Sequence, residues 1–284
     1  MLKTRIITAL VLLAIFLPVL FLAPVDVLRF VLSFVIGLAA WEWARLLTGK
    51  KVVSIVYAFL ITAILYGIWF VQPGSYLYVW VVGFELISLP LALLVWLVIV
   101  PLLMKRGVEL KFKTWKKPLL VIGFVLFPAS WVSLEVMRDL GLWTFLSVLV
   151  WVWAADVGAY FAGKAFGKRK LAPNLSPGKT VEGLVGGLVL VVVVSIACVW
   201  LAQYQENYFS WLQEHIGWFG MLLVAIAGSL LSVIGDLFES QLKRLAGVKD
   251  SSQLLPGHGG FLDRLDALLP VLPFAAVVAL FVAG

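Results

Sequence analysis

Runs of about 20 consecutive apolar residues leave a chain few folds to choose from. A helix of that length crosses roughly 30 Å of hydrocarbon and satisfies its own backbone hydrogen bonds there. Nine such runs read out of this sequence, at 6–24, 27–47, 52–71, 77–103, 118–137, 142–165, 180–203, 217–239 and 266–283. With 63% hydrophobic and only 13% charged residues over 284 positions, no single aqueous core could hide this surface. The reading is an all-α polytopic integral membrane protein of about nine transmembrane helices, with 1–284 as a single membrane domain.

Lysine and arginine favour cytoplasmic loops, so their placement gives an orientation. With the amino terminus cytoplasmic, all of the 22 basic residues except Arg29 and Arg138 fall on the inner side. Lys3 and Arg5 precede the first run as they would in a signal peptide, but the run is too long and Pro18 to Pro24 offers no small-residue cleavage pattern. The net charge of +7 is spread over short loops at one face, which suits anionic lipid headgroups and not nucleic acid. Trp41, Trp43, Trp115, Trp143 and Trp218 lie near span ends, as interfacial belts do.

Residues 1–150 read mainly as scaffold helices, and residues 151–284 as catalytic helices and cytoplasmic loops. In the first half Glu42, one turn before Arg45, reads as half of an interfacial ion pair, and Glu85 marks a break in the long fourth span near Pro90. The lone Cys198 reads as a buried structural thiol, and His215 as a solvated residue of an outer loop at 204–216. No inverted duplication of the transporter kind is visible.

Chemistry concentrates after residue 155. If the eighth helix continues past 239, Asp236, Glu239, Ser240 and Lys243 share one face, as a cation and phosphate site or as a salt-bridged helix end. Gly257, Gly259 and Gly260 allow close backbone approach before a helix whose free amides favour phosphate, and His258, Asp263, Arg264 and Asp266 crowd the same stretch. A second polar stretch, 156–183, holds Asp156 within a span, the basic residues Lys164, Lys168, Arg169, Lys170 and Lys179, and Ser176 and Thr180 at a helix start. A P-loop is excluded, because the glycine it needs five positions before Gly178 is Pro173. Glu182 reads as a helix cap or a cation ligand, and Gly163/Gly167 with Gly183/Gly187 as close helix packing.

The stretch Ser240, Lys243, Arg244, Lys249, Asp250, then Pro256, His258, Gly259, Gly260, Asp263, Arg264 and Asp266, resembles the signature of the phosphatidate cytidylyltransferases, also called CDP-diacylglycerol synthases. The segment 176–183 is similar to a second element of that family. The resemblance implies transfer of CMP from CTP to phosphatidate, giving CDP-diacylglycerol and pyrophosphate, with Mg2+ as cofactor. It implies that Asp236 and Asp263 hold the metal with Glu239 or Asp266 contributing, and that Lys243 and His258 serve catalysis. Ser176, Lys179, Thr180, Ser240, Arg244, Lys249, Gly259, Gly260 and Arg264 would bind substrate. The partners are then CTP, phosphatidate and membrane lipids; a homodimer is compatible. The location is a bacterial inner membrane with the active site facing the cytosol. A CTP-dependent lipid-alcohol kinase and an ion-coupled transporter are the rival readings.

Overall fold

The computed structural model describes residues 2–71 and 74–283; the side chains of Lys3 and Arg5, counted above among the inner charges, lie outside the described residues. The chain runs through α1 (Leu2–Phe21), α2 (Val25–Thr48), α3 (Lys51–Phe70) and α4 (Tyr78–Leu94). After α4 a wide turn at Val95–Ile99 leads into α5 (Val100–Met104), where Pro101 has no N–H to offer the preceding turn. There follow α6 (Phe112–Asp139), α7 (Leu142–Phe166), a hairpin of β1 (Lys170–Ala172) and β2 (Ser176–Thr180), α8 (Val181–Leu201), α9 (Tyr208–Leu245), α10 (Leu262–Leu265) and α11 (Leu268–Ala283). The strands pair antiparallel.

Taking Tyr78–Met104 as one span, seven helices among the described residues are long and apolar enough to cross a bilayer by length and composition, and two shorter apolar helices, Ile6–Phe21 and Leu268–Val282, accompany them. The protein is therefore an all-α polytopic membrane protein. Large apolar side chains such as Leu10, Phe59, Val185 and Trp200 stand exposed on the helix surfaces, a distribution that hydrocarbon accepts and water does not. Inside, one apolar cluster extends from Leu20 to Ala279.

Helix α7 packs on α8 through small residues. A Cβ added at Gly158 would lie 2.7 Å from the Gly186 carbonyl oxygen, and one at Gly187 would lie 2.7 Å from that of Ala155. The close-packing role read for Gly163 and Gly183 holds too, since their backbones face each other. At its start α8 is capped by Thr180, whose Oγ1 accepts the Gly183 amide at 3.1 Å.

Several expectations change. Residues 208–216 are helical, not a loop: Asn207 caps them by accepting the Phe209 and Ser210 amides, and α9 breaks at Gly217, whose φ is +70°. His215 is exposed but helical. Trp43 leaves the interfacial belt for the core, where its indole donates to the Leu119 carbonyl at 3.1 Å. The fourth span breaks at Val95–Ile99 and not at Glu85. Cys198 is only half-buried.

Candidate active site

The loops after α2, α5, α7 and α9 gather at one end of the bundle. Gln241 near the end of α9 donates to the Leu103 and Gly107 carbonyls at 3.1 and 2.7 Å, and Arg244 reaches the Leu175 carbonyl of the hairpin at 3.5 Å. At the opposite end Arg29 of α2 pairs with Glu135 of α6 at 2.6 Å. The residues singled out in 156–183 and 236–266 thus meet although they are far apart in sequence.

A cavity of about 390 Å³ opens among α7, α8, α9 and the hairpin, lined by Asp156, Tyr160, Lys164, Lys179, Thr180 and Asp236 with apolar walls from Ala155, Leu184 and Val233. Lys179 closes an ion pair with Asp236 at 2.5 Å. Ser240 lies one turn on, donating to Asp236 at 3.4 Å. Asp156 is exposed to this cavity, not buried in its helix, and feels the charges of Asp236, Lys179 and Arg264. At Gly235 the missing side chain lets the Asp266 carbonyl approach; a Cβ there would be 2.2 Å from it. This contact brings Asp266 beside Asp236, and burial together with the Asp236 carboxylate holds the Asp266 carboxyl well above the usual carboxylate range.

One turn further along α9, the Lys243 ammonium bridges Glu239 and Asp263, reaching the latter at 2.5 Å. Asp263 Oδ2 accepts three further hydrogen bonds, from the Ser251 amide (2.9 Å), the Ser251 hydroxyl (2.8 Å) and the Gly260 amide (2.8 Å). Burial opposes ionisation of this carboxyl, but the hydrogen bonds from Lys243 and Gly260 outweigh it and hold the pKa at about 2. Gly259 adopts a φ of +82°, which a side chain would strain. Arg264 folds back on the His258 carbonyl through Nε (3.1 Å) and Nη2 (2.6 Å), and His258 Nδ1 is buried without a hydrogen-bond partner.

Three expectations are corrected at this end of the bundle. The amides expected to await phosphate are occupied by the protein's own carboxylates: Gly260 serves Asp263, while Phe261 and Leu262 serve Glu42. Glu42 is no surface ion pair but is fully buried, and Arg45 instead lies over the Trp41 ring at 5.3 Å. Glu182 leaves the capping of its helix to Thr180 and accepts the Lys168 and Arg169 amides at 3.0 and 3.1 Å. Lys249 is exposed and lines a separate cleft with Arg45 and Ser252, and Ser176 opens β2 opposite Ala172. In the sequence Glu42 stands out as an acidic residue inside a span, by default a functional candidate, with the ion pair to Arg45 as the favoured reading.

The site's oxygen donors suit a hard cation. Asp266 lies beside Asp236, and buried Glu239 pairs with the Lys243 ammonium. Among the described residues no three carboxylate, imidazole or thiol groups converge to hold an ion unaided. Magnesium fits such a sparse set, because it keeps waters and substrate phosphates in its shell.

The fold and this end of it define a multi-pass membrane protein with a carboxylate- and ammonium-lined cavity. The chain belongs to the cytidylyltransferase family, whose sequence model matches residues 3–282. It is 37% identical over 295 residues to a phosphatidate cytidylyltransferase of Haemophilus influenzae, covering 99% of this chain and 100% of that one. A protein of the same name from Pseudomonas aeruginosa is 37% identical over 98% of this chain and 97% of its own length. One from Staphylococcus haemolyticus is 33% identical over 97% and 98%.

Proposed function

We propose that this chain is a phosphatidate cytidylyltransferase: it transfers CMP from CTP to phosphatidate, forming CDP-diacylglycerol and releasing pyrophosphate. Family membership over almost the whole chain supports the reading. The structural observation that carries it is the Lys179–Asp236 ion pair inside a cavity that also has apolar lining residues, because such a lining offers contacts to a phosphate and to lipid hydrocarbon alike.

The phosphate monoester of phosphatidate is largely dianionic at neutral pH, its second ionisation lying near about 6 as in other phosphomonoesters. An oxygen of that group attacks the α-phosphorus of CTP; the new P–O bond forms as the bond to the β-phosphate breaks, and pyrophosphate departs with the electron pair. The chain's part is to align the two and to balance charge. Lys179, Lys243 and Arg264 neutralise phosphate oxygens, Ser176, Thr180, Ser240 and Arg244 border the phosphates, Lys249 meets CTP from the adjoining cleft, and His258 donates toward the leaving group. Asp236 would hold magnesium with Asp266 beside it; Glu239 and the Oδ1 of Asp263 would join only by releasing the Lys243 ammonium, while Asp263 Oδ2 stays held by the Ser251 and Gly260 amides. When bound, the ion supplies neutralisation of the polyphosphate charge.

The bundle would carry about nine spans with the amino terminus cytoplasmic, placing the cavity where cytosolic CTP meets lipid of the inner leaflet of a bacterial inner membrane. Membrane lipids would cover the apolar belt, and a homodimer is a compatible assembly. The test is a detergent assay with phosphatidate and α-labelled CTP, with and without magnesium. Magnesium-dependent labelling of lipid together with pyrophosphate release supports the proposal. CDP release without lipid labelling replaces it with a lipid-alcohol kinase, and no turnover by verified folded protein overturns it.

A further inference from the structure

Glu42 sits on α2, in the half of the chain that carries none of the chemistry assigned so far, yet its side chain reaches the loop that leads into α10. It is 0% exposed. Oε1 accepts from the Ser252 hydroxyl at 2.5 Å and the Phe261 amide at 3.1 Å; Oε2 accepts from the Ser251 hydroxyl at 2.9 Å and the Leu262 amide at 2.6 Å. A Cβ on Gly260 would lie 2.4 Å from each of the two oxygens, so the loop closes down on this carboxylate because residue 260 has no side chain.

The same loop is gripped from its other side by Asp263, and the two carboxylates share a donor. Ser251 Oγ stands 2.9 Å from Glu42 and 2.8 Å from Asp263, and its single proton can serve only one at a time. The connections run on from Asp263 to Lys243 and from Lys243 to Glu239. We infer that Glu42 is a positioning residue for the active site: it fixes residues 251–262 so that Asp263 stays paired with Lys243, two turns along α9 from the cavity residue Asp236. An ordinary helix–loop contact does not need a charged, fully buried acceptor with four donors around it, because burying a carboxylate is costly unless nearly every lone pair is used. The activity arm of this inference rests on the cytidylyl-transfer reading; the anchoring arm does not.

The informative substitution is Glu42→Gln. It keeps one oxygen, but the new amide group turns N–H bonds toward the Phe261 or Leu262 amide, and two donors cannot satisfy each other, whereas a serine hydroxyl could simply rotate. The experiment measures hydrogen exchange of the whole purified protein in detergent, its thermal unfolding, and turnover per folded molecule at saturating CTP and phosphatidate. The expected result is exchange faster by about tenfold or more across 251–262, with protection kept in α6 and α9. Turnover should fall by about tenfold or more, with a smaller change in KM for CTP.

Were Glu42 only a stabilising contact, the variant would lose folded yield and melting temperature while each folded molecule kept wild-type turnover; that result overturns the inference, as does unchanged exchange at Phe261 and Leu262. If Glu42→Gln does not fold, Ser252→Ala, which removes one donor and leaves α2 intact, takes its place: faster exchange with slower turnover supports the inference, and wild-type values of either overturn it. Absence of cytidylyl transfer in the wild type would count against the activity reading alone, since exchange still decides whether Glu42 anchors the loop.

Discussion

At the scale of single residues, a carboxylate with a full set of partners behaves unlike one facing open space. Asp263 has its two oxygens committed to Lys243, Ser251 and Gly260, so Asp263→Asn should abolish turnover while the chain still inserts and folds; membrane fractionation followed by the labelled-CTP assay checks both halves. Its pKa of about 2 lies below the ordinary 3.8, so its stabilising contribution is complete above about pH 5 and disappears as pH falls through the folded-state value. Melting curves between pH 2 and pH 7 should therefore lose on the order of 2 kcal/mol at the acid end in wild type, and Asp263→Asn should flatten that limb. Asp236 is held more loosely, by Lys179 and at 3.4 Å by Ser240. Asp236→Asn should lower turnover by about a hundredfold or more with little change in melting temperature.

Among the elements, hydropathy marked every long helix because a hydrocarbon environment demands unbroken apolar runs, and glycine spacing marked the α7–α8 contact because only small residues allow it. Gly158→Val should push a side chain against the Gly186 carbonyl, cost about 1–3 kcal/mol, and open the cavity wall, read as a lower melting temperature and weaker CTP binding. Thr180→Ala should cost about 1 kcal/mol through the lost cap. Residues 208–216 escaped because they are polar enough to pass for a loop; their apolar face, Tyr208, Phe209 and Leu212, becomes legible only once the Asn207 cap is recognised. The cluster at 236–266 was legible as a set of residue types at helical spacing. Which carboxylate meets which ammonium was not, because side-chain partners across helices leave no periodic trace in a single chain.

Across the whole molecule, Glu42 ties the half read as scaffold to the loop before α10. With the basic loops gathered at one end and the Arg29–Glu135 pair at the other, the proposed orientation predicts that a cysteine at Lys249 in a Cys198→Ser background reacts with an impermeant maleimide only from the cytoplasmic side, and one at Glu214 only from the opposite side. Labelling of both from one side would refute the orientation. The tie between α2 and the loop before α10 also governs the order of events during synthesis. Glu42 enters the bilayer with the second helix, and its donors emerge 209 to 220 residues later. For most of translation this side chain has none of the loop's groups to satisfy it and must stay near water. Its inward docking is a late, long-range closure that cannot precede arrival of residues 251–262, so a nascent chain stalled before residue 251 should hold α2 at a shallower depth than the finished protein does.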